Sequence, residues 1–216
     1  MTRIRIIGAG RAGTSMAMAL EAAGHEVEGT MGRGAALEAA CDGVDALILA
    51  VSDDAIAEVA AAIEPSPSCV VVHLSGSLGL DVLASHPRRG ALHPLVPLPT
   101  PAVGAGRLSS GVTFAVAGDP LVVDLAESLG GRVVHVADED RARYHAAACI
   151  AANHVVALLG QVERVAAAAG LPLDAFLELT RAAVDDVERL GPESALTGPA
   201  ARGDWADEFA RGLQLG

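Results

Sequence analysis

Few residues in this chain are equipped for chemistry. His145, Cys149 and Asn153 recur at i, i+4 and i+8 along one apolar helical pattern. Steps of about 100° put all three within an arc of roughly 80°. A polar trio on the face of a core helix needs either hydrogen-bond partners or a ligand. An unperturbed imidazole titrates near about 6.5, so His145 is the first candidate to move a proton. His93 is the second, and Tyr144 and Cys149 are weaker. Cys149 sits in an alanine-rich stretch and reads as a small buried hydrophobe. Arg202 has the planar fork that grips a carboxylate; its competing use is a surface pair with Asp204, worth little. His73, His93 and His145 have the residue types of a zinc site, but no ligand spacing supports one.

The element that must position these groups begins at Gly8. Gly8-Ala9-Gly10-Arg11-Ala12-Gly13 follows the apolar run Ile4 to Ile7 and precedes the helical pattern Met16, Ala17, Ala19, Leu20, Ala23. Strand, glycine turn and helix form the context in which G-x-G-x-x-G predicts a dinucleotide. Gly8 allows a tight turn, Gly10 a close backbone approach to pyrophosphate, and Gly13 close packing of helix on strand. The N–H groups of Arg11 and Ala12 then face the anion with the helix dipole behind them.

An NAD site usually carries an acidic residue about 20 positions further on, at the second strand's end. Here the sequence runs Met31-Gly32-Arg33. A small residue followed by a guanidinium suits a 2′-phosphate, so NADP is favoured over NAD. Glu28 is the acidic competitor, but it stands several residues early.

Strand and helix signals alternate as far as Val136, which predicts a doubly wound α/β domain. The buried strand Asp45–Val51 ends at Ser52, which opens a helix to Ile63. The strand Cys69–Leu74 ends at Ser75 and Gly76. Ligands of open α/β sheets bind at such carboxyl ends, so Ser52, Ser75 and Gly76 are expected to line the cofactor cleft. A short helix is expected over 34–41. Strands are expected at 91–95, 112–116 and 133–136, with a flexible stretch between the proline cluster (Pro97, Pro99, Pro101) and Ser110. Asp138 is expected to cap a helix of about thirty residues, near 45 Å long at about 1.5 Å per residue, which Gly170 stops. A further helix runs from about Leu173 to Leu190. The division is therefore a dinucleotide-binding domain at 1–137 and a smaller all-helical domain at 138–216.

The net charge of −12 argues against nucleic acid or an anionic membrane as a partner. All fifteen basic residues are arginine. Three scattered cysteines suggest neither disulfides nor a metal site. The chain starts directly with a strand, so no signal peptide is expected, and the weakly polar run Ala146–Gly160 reads as too short to span a bilayer. A cytoplasmic protein follows.

Several of these segments together resemble one family. They are the glycine turn, His73-Leu74-Ser75-Gly76, Gly90-Ala91-Leu92-His93-Pro94-Leu95, Tyr144-His145-Ala146-Ala147-Ala148, Asn153 and the stretch from Leu196-Thr197-Gly198-Pro199 to Arg202-Gly203-Asp204. The chain resembles bacterial Rossmann-like proteins whose helical C-terminal domain is of unknown function. They lie within the 6-phosphogluconate dehydrogenase-like superfamily, beside ketopantoate and pyrroline-5-carboxylate reductases. The resemblance implies NADP(H)-linked reduction in the cleft between the domains and gives no substrate; a small carbonyl or imine compound bearing a carboxylate, and a homodimer, are the expectations set beside it. Family members usually continue for several more helical segments than this chain has. Several relatives pair a lysine proton donor with an asparagine four residues later. Asn153 fits the second role, but Cys149 stands in the first, and the chain has no lysine to replace it. The proton must come from another group, His145 or His93. The missing lysine also motivates an alternative, a non-catalytic NADP-binding sensor or partner-binding protein. His93-Pro94 suggests a third and weaker one, a prephenate dehydrogenase-like enzyme.

Overall fold

The computed structural model describes residues 1–31, 36–198, 201 and 203. Two compact units divide the chain, Met1–Ala148 and Cys149–Gly216.

The first unit is built on seven strands: β1 (Arg3–Ile7), β2 (Glu26–Met31), β3 (Ala46–Leu49), β4 (Val70–His73), β5 (Arg89–Pro94), β6 (Thr113–Gly118) and β7 (Arg132–His135). Their order in the sheet is β2-β1-β3-β4-β5-β6-β7. All neighbours run parallel except β5 and β6. From β1 the chain goes to β2 on one side and then to β3 on the other. That reversal is the topological switch point, where α/β sheets open a crevice for ligands.

Helices α1 (Arg11–Ala22), α2 (Asp53–Ala61), α3 (Pro101–Leu108) and α4 (Leu121–Ser128) complete the layers. Ile4, Ile6, Ile48, Val70, Val72 and Phe114 pack with Met16, Leu20, Leu108 and Leu125 on one side of the sheet. Leu47, Leu49 and Val71 pack with Ile56, Ala60 and Leu83 on the other. Every residue of β3 and β4 is buried, which explains their unbroken apolar runs: a parallel sheet covered on both faces needs no polar alternation.

Two elements before β6 depart from sequence expectation. The supposedly flexible stretch before Ser110 contains α3, started by Thr100, whose hydroxyl accepts from the Val103 N–H. Pro101 tolerates the first helical position because it has no N–H to lose there, and Gly104 lets α3 sit close on Ser15 of α1. The helix expected over 34–41 is not formed at the described positions, where residues 38–43 make turns.

Beyond β7 the chain is helical from Asp138 to Ala168, through α5 (Arg141–Cys149), a π-helical stretch (Ile150–His154) and α6 (Val155–Ala168). The thirty-residue helix is present. By length and composition it could cross a membrane, whereas the narrower window Ala146–Gly160 suggested otherwise. The second unit continues with α7 (Asp174–Leu190), which ends at Gly191, and the short α8 (Pro192–Ala195).

Gly8 has φ +114°, and a Cβ there would lie 2.3 Å from the Ala50 carbonyl oxygen. A Cβ on Gly13 would lie 1.9 Å from the Gly8 carbonyl oxygen. Both contacts are with backbone, which cannot swing aside. Gly13→Ala is therefore expected to destabilise the chain by at least about 1–3 kcal/mol, the usual cost of overpacking. Gly10 faces open space, so Gly10→Ala should cost only about 0.5 kcal/mol, as a helix-cap effect. Urea denaturation of the two variants checks the contrast.

Candidate functional site

At the switch point, the turn from β1 enters α1 through Gly10. Gly10 is extended at the N-cap position, no side chain caps the helix, and its first turn holds no acidic residue. A Cβ at Gly10 would meet nothing within 4 Å. The first-turn N–H groups, those of Arg11 and Ala12 included, thus end at an open, anion-favouring position. Gly8 and Gly13 are glycines for packing, and Gly10 leaves room beside the helix end. A pyrophosphate fits this cradle.

The acidic competitor on β2 is occupied elsewhere. Glu28 pairs with Arg5 of β1, beside the irregularity where the β1–β2 register shifts. Gly32 and Arg33, the 2′-phosphate candidates, lie outside the described residues, as does Arg202.

At the carboxyl ends of β3 and β4 the structure builds a polar network. Ser52 is exposed at the N-cap position of α2, and its side chain makes no capping bond. The Ser75 and Ser77 hydroxyls each donate to Asp53 Oδ2 at 2.7 Å. Ser75 Oγ also accepts from the Ser77 and Leu78 N–H groups, both at 3.2 Å. Ser75 is buried and its hydroxyl is already used; it holds the turn that carries Gly76.

Sequence reasoning did not single out Arg141, whose side chain is 1% exposed. Its Nη1 donates to the Ser75 carbonyl at 3.3 Å, and its Nε lies 3.8 Å from Asp138 Oδ1. Nε and Nη2 are buried with no hydrogen bond among the described residues. Asp138 does not cap the helix in the expected way. Its other oxygen accepts from the Leu80 N–H at 3.0 Å, which ties the loop after β4 to the start of the helix. A cation in the first turn of a helix opposes the helix dipole. That misplacement, inside the run Asp138-Glu139-Asp140-Arg141, was the one signal in the sequence.

Near Arg141 stand two imidazoles from the sheet, those of His73 and His93, and His145 lies one turn further along the same helix. His73, at the end of β4, is fully buried. Burial, then the neighbouring Arg141 charge, holds its pKa down to about 4, against the opposing pull of the Gly79 backbone, Asp53 and Asp138. His93 of β5 is also held down to about 4, by burial first, then by His145, Arg141 and His73, with Asp53 opposing. Both rings are neutral at pH 7. The His93 and His145 rings are 6.1 Å apart, and both close on Gly76. A Cβ on Gly76 would lie 2.7 Å from His145 Nδ1 and 2.9 Å from His93 Nε2. Only glycine leaves room for both. His93 Nδ1 and the Tyr144 hydroxyl share a hydrogen bond of 2.6 Å. Burial raises the Tyr144 pKa, and Arg141 opposes the rise.

The structure thus brings His93, His145, Ser75 and Gly76 together. Asn153 belongs to the second unit. It lies in the π-helical stretch, whose wider turn breaks the regular step assumed from His145 through Cys149; π-bulges are frequent at functional sites. Among the described residues no group of three or more His, Cys, Asp or Glu side chains could hold a metal ion.

His73 and His93 have folded pKa values of about 4 against an ordinary 6.5. Below pH 6.5 the unfolded chain binds protons that the folded chain refuses. Stability is therefore expected to be full above pH 6.5 and to fall towards pH 4, by about 1.4 kcal/mol per pH unit for each proton refused. Urea denaturation followed by far-ultraviolet circular dichroism, at pH 7 and at pH 5, checks this. His73→Asn should flatten the dependence.

Comparison with known proteins agrees with this architecture. Residues 111–207 match the family model described as a domain of unknown function (DUF2520). No curated protein matches the chain. Among solved structures it is similar to a candidate NADP oxidoreductase from Bacteroides fragilis, at 22% identity and TM-score 0.78, over 99% of this chain and 95% of that one. It is similar to a protein from Thermotoga maritima at 24% identity and TM-score 0.71, over 98% and 90% of the two chains. The pyrroline carboxylate reductase of Plasmodium falciparum, with NADP bound, is 15% identical with a TM-score of 0.71, over 99% and 92%. At these identities the likeness is one of fold. The fold is Rossmann-like, and the stretch 111–207 is similar to the domain of unknown function that the sequence motifs pointed to.

Proposed function

We propose that the protein is an NADP(H)-dependent oxidoreductase that reduces a small carbonyl or imine compound bearing a carboxylate. The observation that carries this reading is the glycine turn at the sheet's switch point, with open space at Gly10 and an uncapped helix end. Bound there, the dinucleotide would supply a hydride. The chain's own residues would hold the pyrophosphate on the α1 N-terminus and the 2′-phosphate on Arg33. Engagement of Glu28 with Arg5 supports NADP over NAD, because it occupies the nearest carboxylate on β2. His93 and His145 supply the groups for proton movement beside the strand ends. The substrate-holding role of Asn153 rests on the family resemblance, and that of Arg202 on the carboxylate-gripping fork of its guanidinium. The like folds of NADP-linked reductases support the reading.

Fluorescence titration with NADPH and NADH tests it. NADPH should bind at least about tenfold tighter, which corresponds to about 1.4 kcal/mol, and Arg33→Ala should remove the difference. Equal affinities unchanged by Arg33→Ala would overturn the NADP assignment. The missing lysine favours a second reading, a nucleotide-binding sensor without turnover. Binding of NADPH with no oxidation across a panel of keto acids and imines would select it.

A homodimer in the cytoplasm is part of the proposal. Ile150, Val156, Leu158, Val165 and Leu179 are exposed in the second unit, and exposed apolar helix residues support an interaction face. Leu158 and Val165 lie seven residues apart, on one helix face. Light scattering should report a dimer, and Leu158→Asp combined with Val165→Asp a monomer. Flotation of the wild-type chain with liposomes would instead assign the helix to a membrane.

A further inference from the structure

We propose that Tyr144 and His93 form a proton relay, in which His93 Nε2–H protonates the reduced carbonyl oxygen or imine nitrogen and the Tyr144 hydroxyl refills His93 Nδ1. The inference rests on the reductase reading and names the group that replaces the missing lysine.

The geometry carries it. Tyr144 Oη and His93 Nδ1 are 2.6 Å apart, with the two rings nearly perpendicular, at 88°. The opposite nitrogen, Nε2, faces the Ser75–Ser77 turn at the carboxyl end of β4, with Gly76 leaving it room. Both residues are half-buried. A neutral imidazole has one N–H and one acceptor nitrogen. If the phenol donates to Nδ1, the N–H stands at Nε2.

The chemistry balances. A hydride adds to the carbon, and the C=O or C=N π pair moves to the oxygen or nitrogen. That atom takes the proton from Nε2 as Nδ1 takes the proton from the phenol. The imidazole is neutral before and after, so it never becomes an imidazolate. The negative charge arrives on the Tyr144 oxygen, where burial opposes it and the Arg141 charge offsets part of that cost, and water later returns the proton. The other charged and titratable groups facing His93 are His145, His73 and Asp53. His93 is the catalytic residue of the pair; Tyr144 acts through it.

Tyr144 is the only tyrosine of the chain, so Tyr144→Phe removes one hydroxyl and nothing else of its kind. The test is nitrogen-15 NMR of the histidine-labelled full-length protein without nucleotide, with His93→Gln assigning the His93 signals. The relay requires an unprotonated shift at His93 Nδ1, an N–H shift at Nε2, and movement of the Nδ1 signal in Tyr144→Phe. A protonated Nδ1 overturns the relay whatever the protein does with NADPH. On any keto acid or imine the protein reduces, Tyr144→Phe should lower kcat by about a hundredfold or more, with KM and NADPH affinity unchanged. Unchanged kcat also overturns the relay. Absence of reduction across the whole panel overturns the reductase reading instead, and the tautomer measurement tells the two failures apart.

Discussion

The first unit depends on one backbone-on-backbone approach. Gly13 of α1 sits so close to the Gly8 carbonyl that a Cβ has no room. A helix held this near its strand places its N-terminal N–H groups at the strand's carboxyl end. It also fixes the angle at which Met16 and Leu20 meet Ile4 and Ile6. Packing and anion binding therefore share one cause. The positive φ at Gly8 turns the chain sharply enough to begin the helix at once, and the lack of side chain at Gly10 keeps its end open.

A second constraint governs the chemistry. Arg141 brings a full charge into a dry region, where an unpaired cation is costly. The Ser75 carbonyl and Asp138 compensate it in part. Its field, added to burial, keeps His73 and His93 neutral. The neutral rings can then serve as hydrogen-bonding groups rather than cations.

Much of this was legible in the sequence. Strand, glycine turn and helix were readable because each glycine answers a local steric demand. The all-apolar runs of β3 and β4 were readable because both faces are covered. Helix α3 was missed because proline and glycine count against a helix on average, yet Pro101 sits where the helix has no N–H to lose, and Gly104 is selected by its neighbour Ser15. The antiparallel placement of β6 against β5 was not legible either. Strand direction depends on where α3 returns the chain, which no periodicity records.

The sequence by itself determined the Rossmann-like class, the turn that would hold a pyrophosphate and the lack of any lysine for the usual proton transfer. Each of these is a property of residue type or short-range spacing. Only the tertiary structure decided that Tyr144 meets His93 across 51 positions, that Glu28 is held by Arg5, and that Arg141 lies buried near His73 and His93. Those are contacts between residues far apart in the chain. Sequence spacing constrains neighbours within a few residues, while distant side chains meet only where the sheet order and helix crossings bring their elements together.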